Sequence, residues 1–136
     1  MVRNDVVIKP GRLTYSKISN IIDSPMVVKQ VKGSSILAML ELAVATYPQF
    51  SGQFLFVSGV RYEFDPDRSP RVQTVTIGGK ALNLEREYSL CTTSFQARGG
   101  DSFTMLKEGN LIIDEVKATT MLNLLLKFFK APDTHQ

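Results

Sequence analysis

With one cysteine and one histidine in 136 residues, this chain excludes several kinds of chemistry before any motif is considered. A single Cys91 cannot close an internal disulfide or build a cysteine zinc site, and its apolar, strand-like surroundings predict a buried, inert thiol. The redox compartment stays open. His135 lies in a polar tail, residues 131–136, so general-base or metal chemistry resting on imidazole has no home here. Charge is also sparse. The net value is +3, and Arg61, Arg71, Arg86 and Arg98 are scattered among apolar neighbours, whereas a duplex-binding surface wants a basic stripe. No nucleic-acid partner is expected. Long hydrophobic runs are missing as well: residues 1–5 hold no apolar leader core and Lys127 interrupts 124–129, so neither a signal peptide nor a membrane segment is predicted.

What is present suffices for one domain, residues 1–130, with a single core and no staples. Its opening on a charged, turn-like stretch reads as the inside of something longer. Thr14 is placed to cap a short helix carrying Ile18, Ile21 and Ile22. The β-rich 26–31 stops at Gly33, and Ser34 or Ser35 is expected to cap a helix with Ile36, Leu37, Leu40, Ala43, Val44 and Tyr47 on one face. Pro48 ends it, and 48–52 leads into a strand start at Phe54. Val60, Tyr62 and Phe64 alternate with Arg61, Glu63 and Asp65, a strand with one wet face. Residues 65–70 are turn chemistry, 71–77 resume as a strand, and Gly78-Gly79 supplies a tight hairpin turn. A strand over 88–93 runs into Phe95, Asp101 or Ser102 is expected to cap a helical stretch holding Phe103, Met105 and Leu106, and Asp114 a last helix over 115–130 with Leu122, Leu125, Leu126 and Phe129 facing inward. Strands and helices without regular alternation predict an α+β fold, with a mixed or largely antiparallel sheet and packed helices.

Two segments carry the chemistry. Gly52-Gln53-Phe54-Leu55-Phe56-Val57-Ser58-Gly59 and Ser94-Phe95-Gln96-Ala97-Arg98-Gly99-Gly100-Asp101 each set a phenylalanine beside glycines, and the second adds a carboxylate. Flat rings, close backbone and one acid suit a nucleoside: the rings stack on the base, worth about 1–3 kcal/mol per base by analogy with single-strand binding, and the acid accepts from vicinal ribose hydroxyls. The competing reading makes both phenylalanines core, which residue type alone favours. Asp101 serves equally well as a helix cap, and Gly99 and Gly100 equally well as turn glycines. Asp65 and Asp67, around a proline turn, fall short of the roughly six oxygens of a metal site. No catalytic residue is identified.

The order of motifs adds to this. Pro10-Gly11-x-Leu13-Thr14, Val27-Val28-Lys29-Gln30-Val31-Lys32-Gly33, a leucine-rich helix ending in Tyr47-Pro48, Gly52-x-Phe54-x-x-Val57-Ser58-Gly59, Tyr62-Glu63-Phe64-Asp65-Pro66, Ile77-Gly78-Gly79-Lys80-Ala81-Leu82 and Phe95-x-Ala97-x-Gly99-Gly100-Asp101-x-Phe103 follow one another in a series that resembles the C-terminal domain of the 5′-nucleotidase family. The resemblance runs from about Arg3 to Phe129, and the last motif is its most specific part. It implies a substrate-binding module that works beside an N-terminal metallophosphoesterase domain, where two divalent metal ions and the catalytic histidine of an intact parent reside. By the family pattern Phe54 and Phe95 sandwich the base of a nucleoside or nucleotide, Asp101 takes the ribose hydroxyls, and Arg3 falls at an arginine that contacts phosphate. Family members are often periplasmic or cell-surface proteins. The chain departs from the pattern at Ser24, where an asparagine contact is usual, at Phe56 in place of a glutamine, at Arg98, and at Ser102 in place of a glycine. Two functions follow: a nucleoside-gripping module, inactive alone as a hydrolase, or a non-enzymatic interaction module whose rings are core or face a protein partner. The two separate on whether Phe54 and Phe95 are exposed and face one another across a cleft.

Overall fold

The computed structural model describes residues 7, 9–12, 14–19, 22 and 24–130; Arg3, Ile21 and the tail 131–136 lie outside them. Its elements are α1 (Tyr15–Ser19), β1 (Pro25–Lys32), α2 (Gly33–Val44), β2 (Val60–Phe64), β3 (Val72–Ile77), β4 (Lys80–Ala81), β5 (Glu87–Thr93), α3 (Ser94–Ala97), β6 (Asn110–Ile113), β7 (Thr119–Thr120) and α4 (Met121–Lys130), with two 3-10 turns at Gly100–Ser102 and Thr104–Leu106. The expected α+β fold is present, but its strands divide between two antiparallel sheets. In the first, β1 is flanked by β5 and β6, with β7 also pairing on β1; the second runs β2-β3-β4.

Period-two burial explains the first sheet. Along β1, Val27, Lys29 and Val31 point inward, and β1 pairs with β5 from Met26↔Thr93 to Lys32↔Glu87. On β5 the half-buried positions are Tyr88 and Leu90, which turns Cys91 outward. The expectation of a buried thiol fails because the alternation, not the local apolarity, sets the face.

Helix α2 supplies the core with Ile36, Met39, Leu40 and Val44, which pack with Val31, Val72, Phe103 and Leu106. Its start is not capped by serine. Gly33 and Ser34 donate their backbone N–H groups to the carbonyls of Arg86 and Leu84 at 2.9 Å each, and a β-carbon on Gly33 would stand 2.1 Å from the Asn83 carbonyl oxygen. The neighbouring chain satisfies the free helix donors directly. At the other end Arg71 donates to the carbonyls of Val44 at 2.7 Å and Tyr47 at 2.9 Å, and Glu41 accepts from the backbone of Val72 at 2.8 Å. These contacts bind the second sheet to the helix. Its hairpin turn has Gly78 at φ 58° and Gly79 at φ 75°, the conformation that favours glycine at both central positions.

Thr14 caps α1 as expected, accepting from the Lys17 N–H at 3.4 Å. The C-terminal stretch differs from expectation. Asp114 accepts from Val116 and Lys117 in a turn, and α4 begins only at Met121, where Thr120 accepts from Asn123. Residues 110–113 are recruited as strand β6, because pairing with β1 gives their backbone groups partners. Leu122 is buried, Leu125 and Leu126 are half-buried, and Phe129 is exposed.

Candidate functional site

Strand β5 ends at Thr93, whose hydroxyl accepts the Gln96 N–H at 3.2 Å and so starts the short helix α3. That helix lifts Phe95 out of the sheet and leaves its ring 53% exposed. The first aromatic segment is a turn and irregular chain rather than a strand; β2 starts only at Val60. Phe54 is 39% exposed there and meets Phe56 edge-on, with centroids 6.0 Å apart. Both rings are therefore surface groups, and the core reading of this pair is overturned. The core phenylalanine is Phe103, at the end of the same motif, with no exposed surface.

Each glycine between Phe95 and Phe103 has its own reason. Gly99 sits at φ 87°, where L side chains are strained, with the stem of Lys107 against it. Gly100 does not have a positive φ; a β-carbon there would come within 2.4 Å of Phe95 Cε1. It is the seat of the aromatic ring. Gln53 donates its side-chain amide to the Asp101 carbonyl oxygen at 3.0 Å, which joins the segment bearing Phe54 to the turn bearing Asp101.

Asp101 does not cap a helix. It lies inside a 3-10 turn at φ 52° and ψ 33°, followed by Ser102 at φ 69°, and neither adjoining turn has a side-chain cap. Left-handed backbone at a non-glycine residue costs on the order of 1–3 kcal/mol and concentrates at functional sites. Its Oδ2 is shielded from solvent without a hydrogen-bond partner among the described residues, a further penalty of about 1–3 kcal/mol for a buried polar atom. Backbone strain and an unsatisfied side-chain acceptor meet in one residue. A buried polar atom without a partner is uncommon enough in folded proteins to call for an explanation.

Other expected positions fall as follows. Arg98 forms a close ion pair with Glu115 and is engaged by the chain itself. Asp65 accepts from the Asp67 N–H and pairs with Arg68 at 3.1 Å, which is turn chemistry. Ser24 accepts the Met121 N–H through its carbonyl at 2.9 Å. Among the described residues no three His, Cys, Asp or Glu gather to hold a metal ion, so they do not fit a dimetal centre. No helix among them is long and apolar enough to cross a membrane.

Sequence reasoning overlooked Lys29. Its side chain is 3% exposed, and its Nζ donates to the carbonyls of Ala97 at 3.5 Å, Lys107 at 3.2 Å and, closer still, Leu106. The signal was available: spacing by two from Val27 and Val31 puts Lys29 on the inward face of β1.

Comparison with known proteins places this geometry. Residues 1–108 match the family model described as 5′-nucleotidase, C-terminal domain. The chain is 34% identical to a 5′-nucleotidase of Diplobatis ommata over 95 residues, covering 62% of this chain and 16% of that protein, and 30% identical to that of Bos taurus over 89 residues, 58% of this chain and 16% of that one. Among solved structures, a 5′-nucleotidase precursor from Thermus thermophilus superposes with a TM-score of 0.76 at 33% identity, over 87% of this chain and 25% of that one. An NAD nucleotidase from Haemophilus influenzae shares the fold, with a TM-score of 0.70 at 18% identity over 90% and 25% of the two chains. The chain thus spans about a sixth to a quarter of the length of these relatives.

Proposed function

The chain belongs to the 5′-nucleotidase C-terminal domain family, and from that premise we propose that it grips the nucleoside part of a nucleotide. Phe54 and Phe95 stack on the base, Asp101 accepts from the ribose hydroxyls, Gly100 seats the Phe95 ring against the backbone, and Gly99 supplies the positive φ of the turn that carries Asp101. Arg3, outside the described residues, is assigned to the phosphate. The carrying observation is Asp101: a residue with strained backbone whose Oδ2 is buried without a partner among the described residues, on a turn tied to the Phe54 segment by Gln53. Two neutral hydroxyls supply the donors that this oxygen lacks.

In a longer protein, removal of the 5′-phosphate belongs to a separate metal-bearing domain, and this module holds the nucleoside so that the phosphate is presented to it. The chain alone is expected to bind without hydrolysing. Calorimetric titration with adenosine and with 2′,3′-dideoxyadenosine tests the assignment. A loss of at least about tenfold, or about 1.4 kcal/mol, on removing both hydroxyls is expected. Equal affinities would remove the ribose role from Asp101.

A further inference from the structure

Lys29 is the one charged side chain in the buried set of the described residues, and its three hydrogen-bond partners are backbone carbonyls. An ammonium has three donors and no acceptor, so three carbonyls satisfy it without a carboxylate. The identity of those carbonyls matters. Ala97 lies where the chain leaves α3; Leu106 and Lys107 lie where it returns from the second 3-10 turn. Between them run Gly99, Gly100, Asp101 and Ser102, the residues that seat the Phe95 ring and hold the strained carboxylate. One buried cation therefore joins the outgoing and returning ends of the excursion 98–105, from a central strand that β5 and β6 hold on both sides.

We infer that Lys29 is a positioning residue: by clasping the neck of this loop it keeps Asp101 and the Gly100 seat in binding geometry. The inference deepens the nucleoside reading and rests on it. Core packing holds Phe103 in the middle of the stretch and Ala97 and Leu106 at its ends, but apolar contacts satisfy none of the backbone carbonyls at the neck, and Lys29 donates to three of them. An apolar side chain at position 29 would fill the same space on β1 but leave the carbonyls of residues 97, 106 and 107 without that donor. The loop then loses its closure while the sheet persists.

The test compares the unsubstituted chain with Lys29→Met, and with Lys29→Gln, which restores an amide donor of shorter reach. Three readouts are taken: thermal unfolding, amide hydrogen exchange, and adenosine affinity. For Lys29→Met we expect exchange at 99–102 to quicken at least about tenfold with β1 and β5 amides unchanged, and adenosine to bind at least about tenfold more weakly; Lys29→Gln falls between. A lysine with a merely structural role lowers the unfolding temperature and leaves the adenosine Kd of the folded protein unchanged, which overturns the inference. So does unaltered loop exchange. In the unsubstituted chain, the Lys29 ammonium protons should exchange slowly with water and respond to adenosine with the same saturation as Gly99 and Gly100; a rapidly exchanging ammonium overturns the clasp even where neither variant folds. Failure of the unsubstituted chain to bind adenosine, with the exchange results intact, counts against the nucleoside reading and leaves a clasp without that ligand role.

Discussion

The Phe95 ring rests against the α-carbon of Gly100, so near that a β-carbon on that glycine would stand 2.4 Å from Cε1 and 2.5 Å from Cζ. Because the ring is largely exposed, moving it disturbs little of the core. Gly100→Ala should therefore weaken adenosine binding at least about tenfold while costing under about 1 kcal/mol of stability. Gly99→Ala should show the opposite emphasis, with backbone strain at φ 87° costing about 1–2 kcal/mol. Paired denaturant melts and adenosine titrations check both; equal stability losses would contradict the separation of roles.

Asp101 carries two burdens that glycine would relieve, its φ of 52° and an Oδ2 without a partner among the described residues. Asp101→Gly should raise stability by about 1 kcal/mol and weaken binding, the trade expected where a site is held strained for its ligand. Guanidinium unfolding with and without adenosine measures both. A destabilised variant would mean that the carboxylate is structural.

The two phenylalanines of one motif should behave as opposites. Phe103→Ala removes a fully buried ring and should cost about 3–5 kcal/mol, enough to unfold a marginal domain. Phe95→Ala should leave the stability within about 1 kcal/mol of the parent and abolish detectable stacking. Similar melts for the two variants would contradict the burial difference.

Burial pushes the Lys29 ammonium below the ordinary lysine pKa. The unfolded chain then holds that proton more tightly, so between the folded value and about 10.4 the unfolded state binds more protons and stability rises with pH. Below the folded value the contribution is constant. Relative to Lys29→Met, the parent should gain stability as pH climbs toward about 10. Burial raises the Tyr62 hydroxyl pKa, so its stability contribution is constant below about 10 and falls above it, which sets the upper limit of the comparison. Urea midpoints for both proteins at several pH values provide the check, and parallel curves would contradict it.

Much of the fold was legible because its signals are local. The alternation at 60–64, the Gly78-Gly79 turn and the apolar face of α2 each act within a few residues. What was not legible depends on distant chain: the α2 donors find carbonyls at residues 84 and 86, and 110–113 become a strand only because β1 offers an edge. Asp114 had a plausible helix to cap, and used its oxygen on a turn instead. At the site, residue types singled out Phe54, Phe95 and Asp101, but not the difference between Gly99 and Gly100, which turns on φ at one and on a ring packed over the backbone at the other. Lys29 escaped notice because a lysine in a strand is read as solvent-facing, although the neighbouring valines fix it inward.

The most direct test of the nucleoside pocket is an NMR titration of the chain with adenosine, repeated on Phe95→Ala. The account predicts saturable shifts centred on Phe54, Phe95 and the 99–101 turn, absent in the variant. A folded chain whose spectrum does not change at millimolar adenosine, or whose shifts persist without the Phe95 ring, would contradict it.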